Sequence, residues 1–396
     1  MKKLFDSLIF KLILAVFLGL LIGLYSPKSF MNVIVTLKYI LGQIIFFAVP
    51  LIIIGFIAPS IAKLKSNASK LLGYAITFAY ISSIGAATFS AIFGYMLIPK
   101  LSIQSTTDTL RELPALIFQL DIPQIMPVMS ALFLSIILGL ATAWTKANLF
   151  EKLLDQFQDI VLSLVKKIVI PLLPIFIATT FATLAYEGSI TNQLPVFIKV
   201  IIIVLIGHFI WLAFLYALSG FMSGKNPMEV LKHYGPAYLT AVGSMSSAAT
   251  LPVSIECAKK SKVLRKDISN FSIPLFSNIH LCGSVLTEVF FVMVVSQILY
   301  GKLPDVSSMI LFIVLLGIFA IGAPGVPGGT VMASLGLITS VLGFNETGTA
   351  LILTIFALQD SFGTACNVTA DGALTLMLTG VANKKNIKEE SEEKSI

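Results

Sequence analysis

The sequence predicts an all-α polytopic membrane protein with eight transmembrane helices and two re-entrant helical hairpins. Only 12% of its 396 residues are charged, whereas soluble domains carry about 25%. Hydrophobic residues make up 57% of the chain, so most of it must face lipid instead of water. Six apolar runs match or exceed the roughly 20 residues that a spanning helix needs. They lie at about 8–26, 38–63, 71–98, 126–146, 160–186 and 194–221.

The short loops predict how these helices are oriented. Two lysines precede the first run, and three more lie between the second and the third. By the positive-inside rule, both termini are expected in the cytoplasm, and the polar segment 100–125 is expected outside. The first run is long enough to span and has no small-residue cleavage site, so it is predicted to be retained as a helix. The net charge of +7 reflects these loops and does not predict a nucleic-acid partner.

Beyond residue 222, two apolar segments are interrupted by small residues and proline. They cover 238–258 and 308–343. Such backbone cannot face lipid, because its freed polar groups would be unsatisfied. Two interrupted segments at corresponding places are typical of transporter binding sites built from inverted repeats; a pair of kinked spanning helices is the alternative. The basic stretch 259–266 predicts that the first hairpin enters from the cytoplasm, and a broken helix is expected at 267–300.

The last predicted helix, 346–382, carries a polar stripe. Asp360, Thr364, Asn367 and Asp371 are spaced by four, three and four residues, which places them on one helix face. Acidic residues inside spanning segments are costly and usually functional, although a structural seam between helices is the alternative interpretation. Glu288 is a third acidic residue in an apolar segment.

Four motifs resemble one known family in their order along the chain. They are SSAATLPV (246–253), PLFSNIHLCGS (274–284), GVPGG (325–329) and DSFGTACNVTAD (360–371). Together they resemble the dicarboxylate/amino acid:cation symporter family, which includes glutamate and aspartate transporters and neutral amino acid exchangers. The resemblance implies an elevator-type transporter that forms a homotrimer in the cytoplasmic (inner) membrane.

The resemblance also implies a division of the chain into a static scaffold and a moving core. The expected parts are scaffold helices 1–2 in 1–70, helix 3 and an extracellular loop in 71–125, scaffold helices 4–5 in 126–190, the transport core in 191–382 and a cytoplasmic tail in 383–396.

The substrate site is carried over from the family residue by residue. Asp360 is expected to hold a substrate ammonium, and Asn367 and Ser247 its α-carboxylate. The acidic-substrate members have an arginine where this chain has Gly363, and some have another where it has Met245. No Lys or Arg occurs between 346 and 383, so a small neutral amino acid is predicted; an acidic amino acid or dicarboxylate is the alternative. The space left by Gly363 could admit a larger or apolar substrate side chain, although glycine alone does not fix its size. The complete predicted substrate set is Ser246, Ser247, Val326, Gly328, Asp360, Gly363, Thr364 and Asn367.

The coupling ions are expected to be Na⁺, H⁺ or both, with no cofactor and no other metal. The predicted cation-binding residues are Asn278, Asn367 and Asp371. A second sodium site of the family has Asn and Asp where this chain has His280 and Cys282, which are poor sodium ligands. Glu288 matches the glutamate of proton-coupled members, and Glu288 and His280 are therefore the proton-coupling candidates; a hydrogen-bonded core histidine is the alternative for His280.

Two other classes of function were weighed against a transporter. A channel can also be built from discontinuous hairpins, although selectivity filters are usually repeated by subunit symmetry. An intramembrane enzyme would need a nucleophile with a base or a metal pair, and the sequence has neither at a suitable spacing. The three cysteines, Cys257, Cys282 and Cys366, predict no disulfide framework and no zinc site.

Overall fold

The computed structural model describes residues 8–62, 70–101, 111–188, 194–323 and 328–385, and these form helices and connecting segments without a β-strand. The helices are α1 (Leu8–Tyr25), α2 (Lys28–Ala62), α3 (Lys70–Leu97), α4 (Val128–Thr145), α5 (Asn148–Leu164), α6 (Ile170–Glu187), α7 (Leu194–Ser223), α8 (Met228–Leu231), α9 (Gly235–Ser244), α10 (Ser247–Lys259), α11 (Lys266–Ile279), α12 (Cys282–Tyr300), α13 (Val306–Gly322), α14 (Gly329–Ser340) and α15 (Glu346–Lys384).

The predicted all-helical membrane architecture is confirmed in its general form. In the described residues, six helical stretches are long and apolar enough to cross a bilayer: Lys28–Pro59, Leu71–Leu101, Asn148–Glu187, Phe197–Ser223, Lys266–Tyr300 and Glu346–Lys384. Four shorter apolar helices accompany them: Ile13–Tyr25, Phe133–Thr145, Val306–Gly322 and Gly329–Ser340. The number of eight spans, the re-entrant hairpins and the elevator motion stay predictions.

The second helix begins ten residues earlier than the apolar run predicted, at Lys28 instead of residue 38. Lys38 marks the start of the predicted run because a charged residue breaks the apolar pattern. In the structure the helix continues through it, and the Lys38 ammonium donates a hydrogen bond to Thr183 Oγ1 of α6 at 3.2 Å. A polar partner on a neighbouring helix therefore stabilises the lysine within an apolar helix.

The helices pack most extensively within two groups. In the first group, α1 packs against α6, and α2 packs against α4, α5 and α6. In the second group, α15 packs against α7, α9 and α12, and α3 packs against α12 and α13. Each group contains one of the two tryptophans: Trp144 is exposed on α4, whereas Trp211 is buried on α7. The proposed boundaries between scaffold and core stay a prediction.

Each interruption that the sequence predicts has a local cause. Helix α9 ends at Met245, which adopts the left-handed conformation with φ of 54°. Ser246 then caps α10, and its hydroxyl accepts a hydrogen bond from Ala249 N at 3.2 Å, as N-cap residues do. Helix α14 is preceded by Gly328 with φ of 70°, a conformation that glycine adopts without strain.

Candidate functional site

The break between α11 and α12 lies directly against α15. A Cβ atom at Gly283 would come within 2.5 Å of both Cys366 Cβ and Gly363 O. Only a glycine allows this approach, which brings the free backbone groups at the start of α12 to the polar stripe of α15.

Asn367 satisfies the backbone at this break. Its side-chain Oδ1 accepts hydrogen bonds from Gly283 N at 2.7 Å and from Ser284 N at 3.2 Å, and its Nδ2 donates to Ser284 Oγ at 2.9 Å. These are N–H groups that a helix start leaves without a partner. Asn367 therefore fixes the contact between α12 and α15, in addition to any role toward a ligand.

His208 of α7 serves the same break from the other side. Its ring Nε2 donates to Gly283 O at 3.1 Å and lies 2.9 Å from Thr287 Oγ1. No role was assigned to this buried histidine from the sequence. Its position makes it a structural partner of the break, because it adds buried hydrogen bonds between α7 and the first turn of α12.

A first polar cluster, called here the α14 cluster, consists of Gly328, Ser334, Glu288 and Asp360. Asp360 is buried, and its Oδ2 accepts a hydrogen bond from Gly328 N at 2.5 Å. The Thr364 hydroxyl, one turn further along α15, also bonds to this carboxylate. Asp360 thus contacts the residue that precedes α14, and its partners carry no full positive charge.

Glu288 of α12 is the second carboxylate of the α14 cluster. It is completely buried, and the Ser334 hydroxyl of α14 donates a hydrogen bond to its Oε1. The other oxygen, Oε2, has no hydrogen-bond partner among the described residues. A buried carboxylate that is only half satisfied is costly in its charged form and has room for a further donor.

A second group, called here the histidine cluster, consists of Ser82, His280 and Asp371. The ring Nδ1 of His280 donates to Asp371 Oδ1 at 2.9 Å. Its other nitrogen, Nε2, lies 2.9 Å from Ser82 Oγ of α3. His280 and Asp371 are fully or almost fully buried. The ring therefore links α3, the α11–α12 break and α15 through one polar chain.

The remaining predicted residues lie elsewhere or outside the described residues. Ser247 is buried in the first turn of α10, beside the cap residue Ser246. Asn278 is exposed, and its amide donates to Pro274 O of its own helix at 2.8 Å. The structure therefore joins His280, and not the Asn278 side chain, to Asp371. Val326 lies outside the described residues.

The space beside Gly363 is narrower than its missing side chain suggests. The sequence suggested that this glycine leaves room for a larger substrate side chain. In the structure, a Cβ atom at position 363 would lie 3.3 Å from Ser284 Cα and 3.4 Å from Ser284 N. Gly363 therefore allows α12 to approach α15, and the neighbouring backbone fills the space beside it.

Two residues of the clusters were missed from the sequence, namely Ser82 and Ser334. Both serines lie on apolar helices, where a buried hydroxyl usually bonds to its own backbone. A polar residue in a segment of spanning length was the available signal, but the sequence gives no indication of its partner. Ser82 is 198 residues from His280, and Ser334 is 46 residues from Glu288.

The two clusters can attract small charged groups. Among the described residues, no group of three or more His, Cys, Asp or Glu side chains has the arrangement of a metal site. The buried carboxylates can attract an ammonium group, a monovalent cation or a proton, because each would reduce the cost of burying the charge.

Comparison with known proteins identifies the relatives of the chain. A profile of the sodium:dicarboxylate symporter family matches residues 8–381. The "Serine/threonine transporter SstT" of Acinetobacter baylyi is 27% identical over 390 residues, which cover 92% of this chain and 95% of that protein. The protein of the same name from Streptococcus agalactiae serotype III is 28% identical over 403 residues, with 96% of each chain covered.

More distant relatives match less than half of the chain. Human "Excitatory amino acid transporter 3" is 31% identical over 169 residues, covering 42% of this chain and 30% of that protein. Rat "Neutral amino acid transporter B(0)" is 30% identical over 174 residues, covering 44% of this chain and 31% of that protein.

Proposed function

The chain belongs to the sodium:dicarboxylate symporter family, and on that premise we propose that it is a secondary active transporter that carries a small neutral amino acid together with sodium. It is a multi-pass membrane protein, as its helices and its family require. The proposed substrate is an amino acid with an uncharged side chain, and serine and threonine are the first candidates.

The observation that carries this proposal is the environment of Asp360. Its carboxylate is buried in a spanning helix, and its partners are the Gly328 N–H and the Thr364 hydroxyl. A substrate ammonium would supply the positive charge that these neutral donors lack. The family arginine is replaced by Gly363, and 346–383 contains no basic residue, so a second substrate carboxylate would find no cation in this part of the helix.

The names of the relatives support the same class of substrate. The two relatives that match almost the whole chain are both named serine/threonine transporters. The excitatory amino acid transporter matches less than half of it. From the family resemblance, we propose that Ser247 and Asn367 hold the α-carboxylate and that Ser246 and Thr364 contact the remaining atoms of the amino acid.

The histidine cluster bears on the number of coupled sodium ions. The His280 ring bonds to one oxygen of Asp371 and to Ser82, so it fills the side of the carboxylate that faces α3. We propose that sodium binds only toward the other oxygen of Asp371 and the backbone near Asn367. The transport cycle then uses fewer sodium ions than a relative with Asn at position 280.

Glu288 is proposed as a proton-coupling residue. A proton on Oε2 would remove the cost of burying the charge, and that oxygen has no partner among the described residues. The Ser334 hydrogen bond connects Glu288 to α14, so gain or loss of a proton would change how firmly α14 is held to α12.

Three further features belong to the proposal. The transport core moves as an elevator, the protein assembles as a homotrimer, and both termini lie in the cytoplasm.

The decisive experiment is uptake by proteoliposomes that contain the purified full chain. Labelled serine, threonine, alanine, aspartate and succinate are offered under an inward sodium gradient, an inward proton gradient, or both. We expect saturable uptake of serine or threonine that requires sodium and is stimulated by the proton gradient, together with exchange against internal substrate.

The other functions predict different results in this assay. High-affinity, sodium-driven aspartate or succinate uptake would replace the neutral substrate with an acidic one. Flux that does not saturate and shows no exchange would indicate a channel. Uptake without any sodium requirement would contradict sodium coupling.

A further inference from the structure

A cavity with both polar and apolar lining lies away from both clusters, between α2 and the start of α15. Its volume is about 240 Å³, below the roughly 300–1,000 Å³ of sites for drug-sized ligands, so it suits a small molecule. Its polar lining includes Lys38, Gln43, Glu346 and Thr347, and its apolar lining includes Phe176.

The feature that requires explanation is the ammonium group of Lys38. Lys38 is half-buried, and its described hydrogen bond is to a neutral hydroxyl, that of Thr183. Glu187 and Glu346 are close enough to act on it electrostatically, but neither forms an ion pair with it in the described part of the chain. A lysine in a spanning segment without a paired anion is a functional-site candidate by default.

The lining of the cavity also includes a negative charge. Glu346 lies in the first turn of α15 and is exposed, as is its neighbour Thr347. The cavity therefore presents a cation on α2 and an anion on α15. A single carboxylate or a single ammonium would satisfy one charge only, whereas a zwitterion would satisfy both.

One side of the cavity is formed by the segment between α3 and α4, which is hydrogen-bonded to α2. The Tyr39 hydroxyl of α2 donates a hydrogen bond to Asp121, and Ile122 N donates to Gln43 Oε1 at 3.3 Å. Leu116, from the same connecting segment, lines the cavity. These contacts limit the space above the two charges and favour a short ligand over a long one.

We propose that this cavity is a second, low-affinity site for a small zwitterionic amino acid, whose carboxylate pairs with Lys38 and whose ammonium faces Glu346. The inference rests on the proposed function in its choice of an amino acid as ligand. The ligand would bridge α2 and α15, which belong to the two different packing groups. In an elevator such a bridge slows movement, so uptake should fall at high external substrate concentration.

The test is equilibrium binding of labelled serine to the full chain in lipid nanodiscs. Asp360→Asn weakens the main site, so the remaining saturable binding reports the second site. Adding Lys38→Met should weaken that component at least about tenfold, the effect of losing one charge pair. Lys199→Met, which removes an exposed lysine of α7, is the matched control and should leave it within about twofold.

Competitors identify the ligand class. Lactate has the carboxylate but no ammonium and should displace serine at least about tenfold less well than alanine does. Glu346→Gln should reduce this preference for alanine. Equal displacement by lactate, or displacement by chloride alone at matched concentration, would show a simple anion site and overturn the proposal. In transport, Lys38→Met should remove the inhibition at high serine and leave uptake at low serine unchanged.

Failure of this site can be told apart from failure of the main one. If wild-type protein binds serine, Asp360→Asn removes all binding, and Lys38→Met changes nothing at any concentration, the second site is wrong and the main site stands. If Asp360→Asn leaves high-affinity binding intact, the proposed role of Asp360 is wrong. If wild-type protein binds no amino acid, both proposals fall.

Discussion

The α14 cluster and the histidine cluster both bury carboxylates in the membrane interior, but they hold them differently. In the histidine cluster, Asp371 meets an imidazole that is itself bonded to Ser82. In the α14 cluster, Asp360 and Glu288 meet one backbone N–H and one hydroxyl from the α14 region. Asp371 therefore has a partner that can carry positive charge, whereas Asp360 and Glu288 have hydrogen bonds from neutral groups.

This difference suggests a division of labour. The partners of Asp371 come from α3 and the α11–α12 break, which pack closely against α12 and α15. Apart from Thr364 of α15, the partners of Asp360 and Glu288 come from Gly328 and α14, a helix of 12 residues. We infer that the histidine cluster holds the core together and that the α14 cluster responds to ligands.

Asp360→Asn should have the largest effect on function. A neutral amide cannot balance a desolvated ammonium, and loss of one member of a buried charged pair costs about 2–5 kcal/mol. Uptake of serine at low concentration should fall at least about 30-fold, with the protein still folded and monodisperse. Asp305→Asn, at an exposed carboxylate before α13, is the control and should transport normally. Wild-type uptake by Asp360→Asn would remove the basis for an amino acid substrate.

His280→Asn should mainly affect stability. It removes both ring contacts and leaves Asp371 without its imidazole, and a hydrogen bond to a charged group contributes about 1.5–3 kcal/mol. Thermal unfolding in detergent should show a clearly lower midpoint. His208→Asn is the matched variant, because His208 is also buried but bonds to a carbonyl and a hydroxyl. Its unfolding midpoint should fall by less than that of His280→Asn. Equal losses for the two variants would erase the distinction between the clusters.

His280→Asn also tests the comparison of the two clusters through the sodium dependence of uptake. If the ring occupies one side of Asp371, its removal should make the sodium dependence of uptake steeper, with a higher Hill coefficient than in wild-type protein. A Hill coefficient that stays unchanged in a variant that still transports would contradict the proposed count of sodium ions.

Glu288→Gln tests whether the α14 cluster binds a proton. The amide mimics the protonated carboxyl group, so the pH dependence of uptake should disappear while exchange of internal for external substrate continues. The measurement is uptake in vesicles with an imposed pH gradient, at several sodium concentrations. Absence of proton stimulation in wild-type protein, together with wild-type behaviour of Glu288→Gln, would leave Glu288 a structural residue.

Ser334→Ala should have the smallest effect of the series. A hydrogen bond to a charged group contributes about 1.5–3 kcal/mol, and a bond to a neutral group about 0.5–1.5 kcal/mol. The loss should therefore be larger in the wild-type background than in Glu288→Gln. A double-mutant cycle on thermal stability measures this coupling. Additive losses would show that the two side chains do not depend on each other.

The sequence predicts secondary-structure elements better than it predicts which side chains contact each other. The polar stripe on α15 was expected at Asp360 and Asp371, and both lie buried on one continuous helix. Periodicity is a property of neighbouring residues, so it is visible in the chain itself. The bond from His280 to Ser82 joins residues 198 positions apart, and no local pattern encodes it.

Gly363 illustrates the limit most clearly. A missing arginine suggested vacant space, because a sequence shows which side chain is absent but not what takes its place. The backbone of Ser284 fills that space, and the reason is the close approach of α12 permitted by Gly283. Helix α2 shows the converse case, where Lys38 interrupts the apolar pattern but not the helix, since Thr183 provides a polar partner.

The placement of the two tryptophans gives each packing group its own optical reporter. Trp144 is exposed on α4, whereas Trp211 is buried on α7 with its ring 5.8 Å from that of Phe89. Replacing Trp144 with Phe leaves emission from the second packing group alone, and replacing Trp211 leaves emission from the exposed Trp144 of the first group. Relative movement of the two groups can therefore be followed by fluorescence in the native bilayer, without attaching a dye.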